Sequence, residues 1–205
     1  YLIVSIIGIC AGFINVNAGG GSFLSIPALI LMGLPPGIAN GTNRIGIMWM
    51  TLTSILTFKS KGISHFKFAG FLAVPAIIGA YIGAKFSIDL PPDIFKQIVS
   101  ILMIVMIMFS FYKPKQTETS NKPIFTPMRN GISFVGFFFV GLYGGFIQAG
   151  VGYLMILILR GVHKMSLKDI ASIRVTVVFM FIIMPVTMFI TNHQINWSYA
   201  IVLAF

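Results

Sequence analysis

Acidic side chains are almost missing from this chain. Its 205 residues hold four, Asp89, Asp93, Glu118 and Asp169, all in loops or at the edge of an apolar segment. Charged residues of both signs reach only 9%, where a soluble domain carries about 25%. So few cannot cover a water-facing surface, which excludes an ordinary soluble domain. The single cysteine, Cys10, rules out an intrachain disulfide; inside an apolar run, it reads as a small core residue. His65, His163 and His193 lie in loops or at segment edges and read as interfacial residues rather than proton shuttles. No Gly-Lys-Ser/Thr follows a glycine cluster and no His-Glu-x-x-His occurs, which argues against a phosphate-binding loop and a zinc peptidase. No catalytic residue, metal or cofactor is expected.

Apolar sequence is abundant: 57% of residues are hydrophobic and the mean hydropathy is +0.97. The apolar segments are Tyr1–Val16, Ser22–Leu34, Arg44–Phe58, Phe66–Phe86, Ile94–Tyr112, Gly131–Ile147, Tyr153–Leu159, Ile170–Thr191 and Trp197 onward. At ~20 residues per crossing, Phe66–Phe86 and Ile170–Thr191 are long enough to cross a bilayer alone and Ile94–Tyr112 just is; the first two segments, and the sixth and seventh, pair as two helices joined at the breaks Asn15–Ser22 and Gln148–Gly152. The net charge of +10 comes from basic residues set between apolar runs, where they fix topology rather than bind nucleic acid. The opening run leads straight into a glycine-rich break and reads as a span, not a signal peptide. Beginning at Tyr1 and stopping inside an apolar run, the sequence reads as a fragment at both ends. The expected fold is an all-α polytopic membrane protein, with residues 1–112 a first transmembrane repeat, 113–129 a cytoplasmic linker and 130–205 a second repeat, incomplete at its C-terminus.

The halves resemble each other. Gly8-Ile-Cys-Ala-Gly12-Phe13-Ile14-Asn15 aligns with Gly141-Leu-Tyr-Gly-Gly145-Phe146-Ile147-Gln148, an offset of 133 residues, and Ile63-Ser64-His65 with Ile195-Asn196-Trp197, an offset of 132. The basic loop Lys59–Lys67 is opposite Asn192–Trp197, which has no Lys or Arg, and Leu34–Asn43, which has none, is opposite the basic loop Arg160–Lys168. The positive-inside rule therefore places equivalent loops on opposite sides. Two inverted repeats follow, each a broken-helix hairpin plus about three crossings, an odd count that inversion requires.

Inverted repeats place a substrate site near the midplane, where broken helices from the two halves meet. The breaks supply Asn15, Asn17, Gly19, Gly20, Gly21 and Ser22 from one half and Gln148, Gly150 and Gly152 from the other. Glycine lets a ligand approach the backbone, and the helix after each break begins with free N–H groups that favour anions. Gly8/Gly12, Gly79/Gly83 and Gly141/Gly145 read instead as helix-packing pairs. Thr42, Asn43 and Arg44 open one span, and Arg174 and Thr176 occupy the matching place in the second half. An arginine within a span either serves the site or snorkels to the headgroups, and the residues leave both readings open. With donors available and no carboxylate deep in a span, the pathway favours anions over cations.

Ala11-Gly-Phe-Ile-Asn15, Ala18-Gly-Gly-Gly-Ser22, Pro27, Gly33-Leu-Pro-Pro, Ala39-Asn-Gly41-Thr-Asn43 and Gly145-Phe-Ile-Gln-Ala-Gly-Val-Gly152 together resemble the sulfite exporter TauE/SafE family, which includes 4-toluene sulfonate uptake permease-like proteins. The likeness runs through almost the whole chain. It implies a multi-pass inner (plasma) membrane permease moving sulfite, organosulfonates or related sulfur anions, with motif positions Asn15, Gly19, Gly20, Gly21, Asn43, Gln148, Gly150 and Gly152. The second half departs from the first with Gly152-Tyr153-Leu154 in place of three glycines and Arg160 in place of Pro27, so the half-sites need not be equivalent. The expected partners are a small anion and the lipid bilayer, with no nucleic acid; the oligomeric state is open, a homodimer included. The competing classes are a membrane scaffold or sensor subunit, and an intramembrane enzyme, for which Ser22 lacks a neighbouring base.

Overall fold

A computed structural model describes residues 2–63, 65–111 and 125–204. Among them the secondary structure is helical: α1 (Leu2–Ala18), α2 (Ser22–Leu31), α3 (Pro36–Ser60), α4 (Phe66–Asp89), α5 (Pro92–Phe111), α6 (Pro127–Phe146), α7 (Val151–His163), α8 (Leu167–Thr191) and α9 (Trp197–Ala204). The 25 residues of α3, 24 of α4 and 25 of α8 exceed the ~20 needed for one crossing. Of these, α4 and α8 are also apolar enough throughout to cross a membrane by length and composition. Bulky apolar side chains point outward along α1 (Ile3, Ile6, Ile9, Phe13) and α5 (Ile101, Ile104, Met108), a surface suited to lipid rather than water. Cys10 is exposed on that face of α1, not in the core position the sequence suggested.

Local chemistry sets the helix boundaries. Pro36 starts α3, where a missing N–H costs nothing. Ser166 caps α8 by accepting from the Asp169 N–H at 3.2 Å, and Thr126 caps α6 in the same way through Arg129. The start of α3 corrects the sequence reading, which made Leu34–Asn43 a loop and began the span at Arg44. Ala39–Asn43 form buried helical turns instead, because these residues are small or find side-chain partners. The basic loop before α8 shrinks likewise, since α7 runs on to His163. Of the expected linker, residues 113–124 lie outside the described residues, and the rest meets α6 at Pro127.

Packing is closest between α4 and α6. A Cβ added to Gly79, Gly83, Gly141 or Gly145 would stand 2.0–2.1 Å from a carbonyl oxygen of the opposing helix. These four glycines let the two backbones touch, as their spacing suggested. Gly141 meets Ala76 and Gly145 meets Ala80, so α4 and α6 run parallel. By contrast, α6 and α7 double back: Gly144 faces Val151, and Gly136 faces Ile158.

The contacts also have a swap symmetry. Exchanging α1–α4 for α6–α9 carries α4·α6 into α1·α9, α4·α8 into α3·α9, α1·α2 into α6·α7 and α2·α3 into α7·α8, and returns α3·α8 to itself. The start of α8 lies beside the end of α3, with Ser172 Oγ donating to the Ile63 carbonyl at 3.1 Å. The start of α3 lies beside the end of α8, with the Asn196 N–H donating to Thr42 Oγ1 at 2.9 Å. Helices α3 and α8 therefore run antiparallel.

Candidate functional site

The two helix breaks touch. A Cβ on Gly19 would lie 2.4 Å from Gly152 Cα, and one on Gly152 would lie 2.5 Å from Gly19 Cα. Gly19 also has φ of +75°, in the left-handed region. Both space and backbone conformation thus require glycine at position 19. Between the breaks lies a cavity of about 20 Å³, lined by Asn15, Gly19, Thr51, Gln148, Gly152 and Arg174 together with apolar neighbours. That is room for roughly one water molecule. The first N–H groups of α7 open beside it at Val151 and Gly152, where no intrahelical acceptor exists.

Each break is braced by an arginine from the other half. Arg44, in the third turn of α3, is fully buried. Its Nη1 donates to the Gly144 carbonyl at 3.0 Å and to Gln148 Oε1 at 3.3 Å. Its Nη2 donates to the carbonyls of Gly145 at 2.6 Å and Phe146 at 3.4 Å. The guanidinium also sits over the Phe189 ring at 4.8 Å. Asn40 adds a donor to the Phe146 carbonyl at 2.9 Å, and Tyr143 donates to the Ala149 carbonyl at 2.7 Å. In this way the last carbonyls of α6, which have no helical partner, are satisfied away from water. Arg174, in the second turn of α8 and 3% exposed, bonds the Asn15 carbonyl at 3.0 Å and the Val16 carbonyl, closing the end of α1. Of the two readings of these arginines, burial removes snorkelling.

Arg174 differs from Arg44 in one respect. Both of its hydrogen bonds leave from Nη2, while Nη1 faces Gly19 and Gly152 at the cavity. Neither arginine has a carboxylate partner among the described residues; His65 Nε2 meets Asp169 Oδ1 at 2.8 Å, a contact that is an ion pair when His65 is protonated.

A second polar group lies in the first half. Ser25 Oγ donates to Asn43 Oδ1 at 2.5 Å, and Asn43 Nδ2 donates to Ser22 Oγ at 3.0 Å. These three, with Asn15 and Gly21, line part of a cavity of about 210 Å³ between α1, α2, α3 and α9. Asn15 lines both cavities.

The structure therefore brings together Asn15, Gly19, Gln148, Gly152 and Arg174, and beside them Gly21, Ser22 and Asn43. Gly150 caps α7 in a left-handed conformation, and Gly20 packs against Phe23. Three expected residues face elsewhere. Thr42 receives the Asn196 N–H, Thr176 bonds the Ser172 carbonyl of its own helix at 2.9 Å, and Arg44 is spent on carbonyls and Gln148. The Asn17 side chain lies outside the described residues. Sequence reasoning missed Ser25, Asn40 and Thr51. Ser25 was within reach, because it follows Ser22 by three residues on the same helix face. His163 is fully buried, 2.8 Å from Ser133 Oγ and edge-on to Phe68, rather than at an interface.

A helical bundle with two helices long and apolar enough to cross a membrane fits a membrane protein. The chain belongs to the sulfite exporter TauE/SafE family, whose profile matches residues 4–205. It is 26% identical over 197 residues to a protein of Haemophilus influenzae named a probable membrane transporter protein, covering 96% of this chain and 76% of that one. It is 29% identical over 147 residues to the probable membrane transporter protein ORF9 of a Sinorhizobium species, covering 72% of this chain and 56% of the relative. A third relative, the probable membrane transporter protein YtnM of Bacillus subtilis, is 28% identical over 127 residues, 55% of this chain and 40% of that one. No solved structure matches the chain.

Proposed function

We propose that this permease moves small anions, sulfite, organosulfonates or related sulfur-containing anions, outward across the inner (plasma) membrane, by alternating access at the place where the two breaks meet. The observation that carries the reading is Arg174: a buried guanidinium with no carboxylate partner among the described residues, one nitrogen of which faces the cavity between Gly19 and Gly152. A guanidinium nitrogen turned to a cavity, beside a second one spent on main-chain carbonyls, is a donor suited to an anionic ligand. Gln148 and the first amides of α7 supply further donors around the same cavity. A cavity of about 20 Å³ admits no oxyanion, so the halves must part to load it. The antiparallel course of α3 and α8 and the swap symmetry of the contacts support an inverted repeat, in which rocking one half against the other exposes the site to either side. An inside-negative potential of 100 mV favours expulsion by about 2.3 kcal/mol per negative charge, so export needs no intramembrane acid.

The test is flux of radiolabelled sulfite from proteoliposomes, beside sulfoacetate, taurine, thiosulfate and sulfate. Saturable flux is expected, and Arg174→Gln is expected to abolish it while the protein remains folded. If none of these anions crosses faster than in protein-free vesicles, or if Arg174→Gln transports normally, the reading fails.

A further inference from the structure

We propose that Arg44 is a positioning residue: it fixes the Gln148 side-chain amide with its nitrogen toward the cavity, so that Gln148 presents donors to the anion. The inference rests on the anion-permease reading above. An arginine has five N–H donors and no acceptor, so the atom of Gln148 that meets Arg44 Nη1 at 3.3 Å must be the carbonyl oxygen. The amide cannot flip without placing its own N–H against a guanidinium. In this conformation Arg44 is held from several sides: it is fully buried, bonded to the carbonyls of Gly144, Gly145 and Phe146, and placed over Phe189. With Oε1 engaged, Nε2 is left without a protein partner among the described residues, although Gln148 is only 4% exposed and lines the cavity with Arg174. An amide nitrogen with unused donors beside a cavity is free to donate to a ligand or water held there.

The consequence is a cavity whose strongest polar groups, Arg174 Nη1 and Gln148 Nε2, both donate. Such a pair accepts the lone pairs of a deprotonated oxyanion and has no acceptor of its own to hold a cation or an ammonium group. Asn15, the matching residue of the first half, has no such guide. Arg174 takes its backbone carbonyl and leaves its side chain unpinned.

Gln148→Glu separates the two roles that Gln148 could have. A glutamate keeps an oxygen against Arg44 and makes that contact an ion pair, so a merely structural Gln148 would tolerate it. As an oriented donor, it would lose its N–H groups and turn a negative oxygen toward the cavity. The experiment measures sulfite flux in proteoliposomes and thermal stability in detergent for Gln148→Glu, Gln148→Met and Arg44→Lys. The expected result is that Gln148→Glu melts no lower than the parent protein and loses flux. Gln148→Met should raise KM for sulfite by about tenfold to a hundredfold, the scale of one hydrogen bond to a charged ligand. Arg44→Lys keeps the charge but loses the fork, and should raise KM with the maximal rate retained. Normal flux through Gln148→Glu, beside a transporting parent protein, overturns this inference and leaves the anion-permease reading standing. A parent protein without flux sinks both. Loss of maximal rate at unchanged KM in Gln148→Met would make the residue part of the moving hinge instead.

Discussion

The two broken hairpins align in sequence but are held differently. In the second, α6 stops at Phe146, two residues before Gln148, so the glutamine stands in unwound chain where Arg44 reaches its side chain. In the first, α1 runs three residues past Asn15, and Arg174 reaches only main-chain carbonyls at its end. The difference extends along the helices. Gly141 and Gly145 are filled by the backbone of α4, whereas Gly8 is in ordinary contact with Leu203 at 3.5 Å, and Gly12 has nothing within 4 Å and borders the larger cavity. The two breaks are therefore matched in position without being clamped equally strongly. Here the second hairpin is the anchored one, and the first offers the freer surface.

The sharpest way to break this contrast is to add one methyl group at each of two equivalent glycines. Gly145→Ala would place a Cβ 2.1 Å from the Ala80 carbonyl, with backbone on both sides and nothing able to turn away. Overpacking costs about 1–3 kcal/mol where side chains can adjust and more where they cannot. Loss of monodisperse folded protein is expected on size-exclusion chromatography in detergent. Gly12→Ala meets open space and should leave the elution profile and melting temperature unchanged. Equal damage at both positions would mean that the Gly12 face is covered by something beyond the described residues, and the contrast would dissolve.

The arginines give the next largest effect, and here stability and transport should part. Arg44→Met strands the carbonyls of Gly144 and Gly145, while Phe146 keeps Asn40. Each stranded buried acceptor costs about 1–3 kcal/mol. Arg174→Met strands the Val16 carbonyl, but the Asn15 carbonyl keeps the Gly19 N–H at 2.8 Å. Melting temperatures should therefore fall more for Arg44→Met than for Arg174→Met. Flux per folded molecule should fall more for Arg174→Met. The reverse order in melting would show that the first hairpin is the better anchored.

Much of this was legible in the residue order, and the reasons are physical. Glycine doublets spaced by four fall on one helix face, so Gly79/Gly83 and Gly141/Gly145 announced a close backbone contact before either partner was known. Polar and glycine residues between short apolar runs pointed to breaks at Asn15–Ser22 and Gln148–Gly152; the helices do stop there, but the first break narrows to Gly19–Gly21 because α1 continues through Asn15 to Ala18, and the second ends where α7 begins at Val151. What failed was partner choice. Nothing local to Arg44 says that its donors reach Gly144 and Gly145, a hundred residues on, since the pairing exists only after two hairpins cross. The two extra turns at the start of α3 were lost because Asn40, Thr42 and Asn43 look like loop residues until their partners, Ser87, Asn196 and Ser22, are brought beside them. Cys10 was misassigned because lipid, unlike water, accepts an apolar or thiol surface, so an apolar run alone does not separate inside from outside.

The smallest expected effect concerns the staples that join the halves at opposite ends of α3 and α8. At one end, His65 Nε2 meets Asp169 at 2.8 Å, beside the bond from Ser172 to Ile63. At the other end, the counterpart is the uncharged bond between Asn196 and Thr42. The His65 and Asp169 side chains are 32% and 29% exposed, so solvent screens them, and a coupling of about 0.2–1 kcal/mol is expected. A double-mutant cycle of His65→Ala and Asp169→Asn, read by thermal unfolding, isolates that coupling from the other work of Asp169, which also holds Ser166 at the head of α8. With His65 protonated, raising the salt should shrink the coupling, because a partly exposed ionic contact is screened within a Debye length. A cycle of Thr42→Val with Asn196→Pro, which removes the amide donor at the other end, should show no salt dependence. If both ends respond alike to salt, charge is not what distinguishes the two faces, and the asymmetry between the halves resides in the hairpins alone.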